Sequence, residues 1–274
     1  MIIEILRSLL LGIVEGITEW LPVSSTGHMI LVNSFLNNAK EFTSSDLYIY
    51  VIQLGAILAV VTMYFKKLNP FSPSKTVKEK KDTWNMWAKV VVACVPAAVI
   101  GLLFDEYMEA IETPYVVSAT LIIYGILFIL IEKMNKKTIV SDMNEMSYKT
   151  ALLIGLFQVL SIIPGTSRSG STILGAMILG TSRAVAAEFS FFLAIPVMFG
   201  VSFLKIIGNL DLLSLENIII LLVGMVVSYV VSMMSIKFLV DFVKKHDFKF
   251  FGVYRIALGL IVIGVFALGI LPLY

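Results

Sequence analysis

The sequence predicts an all-α polytopic membrane protein: six full transmembrane helices, two re-entrant helical hairpins and an inverted-topology repeat. Three observations predict it. First, 58% of the 274 residues are hydrophobic and 15% charged, with a mean hydropathy of +0.94. A soluble domain is roughly half apolar and about a quarter charged. Second, apolar stretches of about 20 residues, the length that a hydrocarbon layer of about 30 Å requires, recur along the whole chain. Third, most of the lysines sit in alternate connections, and the order of sides they impose leaves two apolar regions unable to cross.

The first element, about residues 5–36, is over 30 residues long and broken near its middle by "PVSSTG". Glu4, Glu15 and Glu19, and the lack of a small-residue cleavage pattern, argue against a signal peptide here. Spans follow at about 46–65, 88–104 and 115–131. A second broken region occupies about 150–180, and further spans lie at about 184–206, 216–236 and 251–271. The arms of the broken regions, such as 151–163 and 171–180, are too short to cross alone.

Loops 66–86, 132–149 and 237–249 carry the lysines, among them Lys66, Lys67, Lys80, Lys133, Lys136, Lys244 and Lys245. "DEYMEAIE" (105–112) and 207–216 carry neither lysine nor arginine. The positive-inside rule puts the first set in the cytoplasm and the second outside. Segment 150–180 then lies between two cytoplasmic points and must enter and leave on one side. The same count makes 5–36 re-entrant from outside. Non-helical backbone at membrane depth needs cover from protein or a water-filled cavity, so the two tips are expected to meet near the midplane.

The hairpins also resemble each other. "GIVEGITEWLPVSST" (12–26) and "GLFQVLSIIPGTSRS" (155–169) share a glycine, a Glu or Gln three residues on, and a proline before a hydroxyl cluster, with a one-residue slip. Entry from opposite sides fits an inverted repeat, about 1–135 and about 148–274, within a single membrane domain.

The chemistry is concentrated in these hairpins. Glu15 and Glu19 stand four apart on one helix face, where like charges repel and a buried charge is already costly. A cation should lie between or beside them, either a divalent ion with oxygen ligands or Arg168. Ser24, Ser25, Thr26 and His28 follow at once. The second hairpin supplies Thr166, Ser167, Arg168, Ser169, Ser171 and Thr172, with Gly165 and Gly170 freeing the backbone for an anion-binding nest. Arginine contacts phosphate oxygens bidentately, and the helix after Gly170 aims its positive end at the same place. A cradle for a polyanion inside the membrane implies a substrate with a phosphate head and a lipid tail. Phe189, Phe191 and Phe192 are candidate linings for the tail. His246 sits among lysines in a loop and is expected to be solvated. Cys94, the one cysteine, excludes an intrachain disulfide framework and a cysteine metal cluster. No nucleic-acid signature is present.

"VEGITEWLPVSSTGHMILV" (14–32), "IQLGAILAVV" (52–61), "IPGTSRSGSTI" (163–173) and "AAEFSFFLAIPVMFG" (186–200) resemble the bacterial undecaprenyl-diphosphate phosphatase family, also called the bacitracin-resistance protein family. "VPAAVIGLLF" (95–104) and "YRIALGL" (254–260) extend the likeness end to end. The resemblance implies hydrolysis of a C55 polyprenyl diphosphate to the monophosphate carrier of cell-wall synthesis and inorganic phosphate. It also implies a divalent cation (Mg²⁺ or Ca²⁺) and a multi-pass protein of the bacterial plasma membrane, acting mainly at the outer face. The family's acidic pair falls on Glu15 and Glu19, its hydroxyl and histidine motif on Ser25, Thr26 and His28, and its arginine motif on Ser167, Arg168 and Thr172. Arg255 matches a late arginine.

On this basis Arg168 and the cation neutralise the phosphoryl group, with Glu19 and Glu15 holding the ion. Thr26, Ser167, Ser169 and Thr172 join Arg168 around the phosphate. Ser25 attacks after His28 or Glu19 takes its proton, or His28 attacks, or either activates water; Ser25 is the preferred nucleophile. The partners are the polyprenyl diphosphate and membrane lipids, with a homodimer left open. A secondary transporter shares the broken helices and repeats. Against it stands the density of reactive groups, and phosphate release in detergent separates the two. The phosphohistidine-type lipid phosphatases need a distal histidine followed by aspartate, which does not accompany "TSRSGST".

Overall fold

The computed structural model describes residues 1–36, 41–134 and 137–271, without side chains at 105, 106, 108 and 109. Lys136 and the chain's last three residues therefore lie outside the described residues. The elements are α1 (Ile2–Thr18), α2 (Ser25–Leu36), α3 (Asp46–Met63), α4 (Phe65–Leu68), α5 (Val77–Ala110) and α6 (Pro114–Lys133). Then come α7 (Tyr148–Val159), α8 (Arg168–Ile178), α9 (Arg183–Gly208), α10 (Leu215–Val243) and α11 (Lys249–Ala267). Among the described residues the only β contact is an isolated bridge between Val140 and Thr181.

Six helices are long and apolar enough to span a bilayer: α3, α5, α6, α9, α10 and α11. They match the six expected spans, and this is an all-α polytopic membrane protein. Two expected boundaries move. Loop 66–86 is largely helical, because α5 starts at Val77 behind a capping box in which Thr76 and Glu79 exchange hydrogen bonds. At 1.5 Å per residue its 34 residues reach about 51 Å, beyond the hydrocarbon. It runs through most of 105–112, which was expected as loop. Likewise α10 continues to Val243, so half of the expected loop 237–249 is helix.

The lysine-rich connections gather at one end of the bundle. There Lys89 donates to the Met143 carbonyl, and Arg183 pairs with Glu132, whose Oε1 also accepts from the Phe248 amide. At the other end Lys205 meets Asp46 at 3.1 Å and Arg7 donates to the Leu36 carbonyl. Arg7, near the start of α1, thus reaches the last residue of α2. Tyr148 opens α7 with a hydrogen bond to Asn85, and Thr181, just past α8, bridges Val140.

Packing pairs follow one pattern. α1 lies on α10 as α7 lies on α5, α3 packs against α9, and α6 against α11. Small residues permit these approaches. A Cβ on Gly55 would stand 2.1 Å from the Met225 carbonyl oxygen of α10, and one on Gly155 2.2 Å from the Ala93 oxygen of α5. Gly125 and Gly252 bring α6 and α11 backbone to backbone in the same way. Phe189, Phe191 and Phe192 are wholly buried, packed with Trp20 and Tyr64. They are core and do not line a tail groove: successive aromatics on α9 fill the space where both hairpins and α3 converge.

Candidate active site

The two turns, 19–24 and 160–167, meet inside the bundle. Among the described residues only Ser24 (φ 74°) and Ser167 (φ 73°) combine a side chain with positive φ. That conformation costs of order 1–3 kcal/mol and persists only where neighbours impose it. Each serine stands immediately before the second helix of its hairpin and accepts from the amide three residues on, Gly27 at 3.4 Å and Gly170 at 3.1 Å. Both act as N-caps, so two orphan helix donors are satisfied by the same device. The match sets the register between the hairpins at 143 residues: Gly12 with Gly155, Glu15 with Gln158, Ser24 with Ser167. Only the proline slips.

Arg255 of α11 holds the turns together. It is fully buried, and donates to the carbonyls of Pro22 (3.2 Å), Gly165 (3.0 Å) and Thr166 (2.9 Å), with its guanidinium over the Tyr124 ring. Three carbonyls that the turns leave without helix partners thus receive charge-assisted donors. Ser169 adds a link from its hydroxyl to the Glu19 and Leu21 carbonyls.

Arg168 opens α8 and crosses to the first hairpin. Its Nη2 lies 2.8 Å from Glu19 Oε1, its Nη1 donates to the Ser190 carbonyl at 2.8 Å, and its plane covers the Trp20 ring. Glu19 Oε2 accepts from the Ser25 hydroxyl at 3.0 Å. Guanidinium, carboxylate and hydroxyl form one continuous chain. They face a cavity of about 260 Å³ with Thr26, Gln53, Gln158, Ser167 and Glu112 on its walls.

The other expected residues fall into three places. Glu15 is completely buried and neither carboxylate oxygen has a protein partner. It faces a small adjoining cavity of about 90 Å³ with Ser25, Thr26, Tyr50 and Gln53. Thr172 is inside α8, bonded to Ser190 Oγ and the Arg168 carbonyl, and Ser169 ties the turns; neither faces the cavity. His28 is not on the cavity wall. Its Nδ1 lies 2.7 Å from the Ser24 carbonyl and its Nε2 2.7 Å from the Tyr254 hydroxyl, with the two rings stacked.

No group of three or more His, Cys, Asp or Glu able to hold a metal occurs among the described residues. The donors near Glu15 are nevertheless mostly oxygens, from Ser25, Thr26, Tyr50, Gln53 and Glu112, and its carboxylate has no protein partner. Hard cations such as Mg²⁺ are often held by one or two carboxylates with water and substrate phosphate making up the rest, so the donor set fits such an ion.

Sequence reasoning missed Tyr50, Gln53 and Glu112 on the walls, and Ser190 and Trp20 around Arg168. Gln53 carried a signal, as a lone amide within an apolar span; Tyr50 and Ser190 come into place through the packing of α3 and α9, Glu112 follows α5, and Trp20 lies in the first turn itself.

The family model described as bacitracin resistance protein BacA matches residues 8–261. Curated relatives are similar over nearly their whole length. A protein of Enterococcus faecalis is 57% identical over 266 residues, 94% of this chain and 96% of the relative. One of Streptococcus thermophilus is 57% identical over 270 residues, 96% and 93% of the two chains. One of Streptococcus suis is 57% identical over 273 residues, 96% and 97%. All three are named undecaprenyl-diphosphatase.

Proposed function

The chain belongs to the bacitracin resistance protein BacA family, and from that premise we propose how its residues carry out the hydrolysis. It is an undecaprenyl-diphosphatase, a multi-pass membrane enzyme that cleaves the C55 polyprenyl diphosphate to undecaprenyl phosphate and inorganic phosphate. This returns the carrier lipid to cell-wall synthesis and underlies bacitracin resistance.

The observation that carries the residue assignment is the chain Arg168–Glu19–Ser25 at the meeting of the two turns. Ser25 Oγ attacks the terminal phosphorus while Glu19 Oε2, already its hydrogen-bond acceptor, takes the proton. The new Ser25–phosphorus bond forms as the bridging oxygen–phosphorus bond breaks, and polyprenyl monophosphate leaves with the bridging oxygen. Glu19 passes the Ser25 proton to the departing monophosphate. It then takes a proton from water, whose oxygen bonds to the phosphoserine phosphorus as the Ser25–phosphorus bond breaks, and returns it to Ser25 as phosphate leaves. Arg168 is placed to move from Glu19 onto the phosphoryl oxygens and offset their charge. Thr26 and the Ser167 end of α8 complete the anion contacts, which Ser169 and Thr172 support from behind. The hydrogen bond from Ser25 to Glu19, with His28 engaged elsewhere, favours Glu19 as base; His28 instead fixes the Ser24 turn that presents Ser25.

Glu15, with Glu19 beside it, is the holder for Mg²⁺ or Ca²⁺. Such an ion, when bound, supplies further neutralisation of the diphosphate. The matched helix pairings support an inverted repeat, with the two hairpins re-entrant from opposite faces and the lysine-rich end in the cytoplasm. The site then opens toward the outer face through the wall that includes Glu112.

The test is phosphate release from polyprenyl diphosphate by the purified protein in detergent micelles, where no transport is possible. Multiple turnovers are expected. Binding without release would favour a lipid carrier.

A further inference from the structure

Gln158 takes no part in the chemistry above, yet it is among the least satisfied side chains of the molecule. It is 1% exposed, and neither its Nε2 nor its Oε1 has a protein hydrogen-bond partner. Buried amides are ordinarily paired, so an unpaired one on a cavity wall calls for an occupant. The wall it belongs to is that of the 260 Å³ cavity, shared with Arg168 and Ser167.

Its place in the fold is equally specific. Gln158 corresponds to Glu15 in the 143-residue register, each three residues after a glycine that seats its helix. Gly155 presses α7 onto α5 at Ala93, and Gly12 presses α1 onto α10 at Gly224. Each hairpin therefore delivers one buried, unpaired polar head to the same region from opposite sides. One is a carboxylate and the other an amide. A neutral amide donates two N–H bonds to an anion without desolvating a charge. The nearby Ser161 hydroxyl cannot serve in that way, because it already donates to the Gln158 main-chain carbonyl at 2.6 Å.

We propose that Gln158 is a substrate-contacting residue, whose side-chain amide donates to oxygens of the lipid diphosphate from the hairpin opposite Glu15. The inference rests on the function proposed above and assigns a further contact to it. A diphosphate offers more acceptors than one guanidinium can serve, and the Gly155 contact fixes the α7 backbone that carries the amide against α5.

The test compares wild type, Gln158→Leu and Gln158→Glu as purified full-length protein. Leucine removes the unpaired amide, so Gln158→Leu should melt no lower than wild type. Its KM for polyprenyl diphosphate should nevertheless rise roughly ten- to hundredfold, the worth of a hydrogen bond to a charged oxygen, with kcat changed less than about threefold. Gln158→Glu keeps the shape and should lose at least as much through repulsion. Methylenediphosphonate, an uncleavable probe, should raise the melting temperature of wild type and raise that of Gln158→Leu far less. Wild-type KM in either variant, or an equal shift by the probe in Gln158→Leu, would overturn the proposal. Absence of phosphate release from wild type would instead strike the function on which it rests.

Discussion

Ser24 and Ser167, 143 residues apart, share a positive φ, 74° and 73°, and cap the same helix position in their two hairpins. The strain is thus repeated, and it lies directly beside Ser25 and Arg168, the two residues that each turn presents to the cavity. Glycine adopts this conformation freely, whereas a β-branched residue does not. Ser24→Gly should therefore change stability by no more than about 1 kcal/mol, and Ser24→Val should cost about 2 kcal/mol or more. Thermal unfolding in detergent checks both.

Arg255 should prove structural first and functional second. Replacing it with alanine strips donors from three buried carbonyls, with an expected loss of about 3 kcal/mol. Arg255→Lys keeps the charge but cannot reach three acceptors, so it should recover only part. Melting temperature and residual activity should fall together across the pair.

The cation assignment predicts a stability effect that needs no substrate. Ca²⁺ or Mg²⁺ at about 100 times its Kd should stabilise wild type by about 2.7 kcal/mol. Glu15→Gln should abolish that shift, as read by scanning fluorimetry after removal of metal with chelator and titration back. An undiminished shift in Glu15→Gln would place the ion elsewhere.

The helix crossings predict a contrast between glycines. Gly155→Ala drives a methyl to within 2.2 Å of the Ala93 carbonyl oxygen and should cost at least about 1–3 kcal/mol. Gly200 has nothing within 4 Å of its added methyl, so Gly200→Ala should be neutral or stabilising by up to about 1 kcal/mol.

Outside the membrane, Glu145 accepts from the Ser141 amide and hydroxyl and from the Asp142 amide, which hold its carboxyl below the usual glutamate range. A depressed folded value means the contribution is present above the unfolded pKa and lost as pH falls through the folded one. Hydrogen exchange at Ser141 and Asp142 should accelerate, relative to the intrinsic rate, only at acid pH, and Glu145→Gln should remove that dependence.

Much of the fold was legible because bilayer thickness imposes a length and lysines impose a side. The six spans needed nothing more. The helical extensions of α5 and α10 were not legible, since hydropathy falls at the membrane surface while the helix continues on capping and lysine-rich turns. In the site, Glu19, Ser25 and Arg168 were readable as charges and hydroxyls with no apolar use. His28 parts from its neighbours in sequence: they face the cavity, and its own ring lies against Tyr254 on α11, a placement that no local pattern signals. Arg255, 87 residues from Arg168, was marked only by its match to a late arginine in "YRIALGL"; the tertiary structure reveals it as the clasp of both turns.

A double-mutant cycle on Glu19 and Arg168 is the most direct measurement, because these residues join the two hairpins at 2.8 Å. Each single change, Glu19→Gln and Arg168→Ala, should lower kcat/KM for polyprenyl diphosphate by about 100-fold or more in protein that still folds. The double variant should be little worse than either, as for groups that act as one unit. Losses that multiply, or near-wild-type turnover in Arg168→Ala, would contradict a catalytic centre built where the two turns touch.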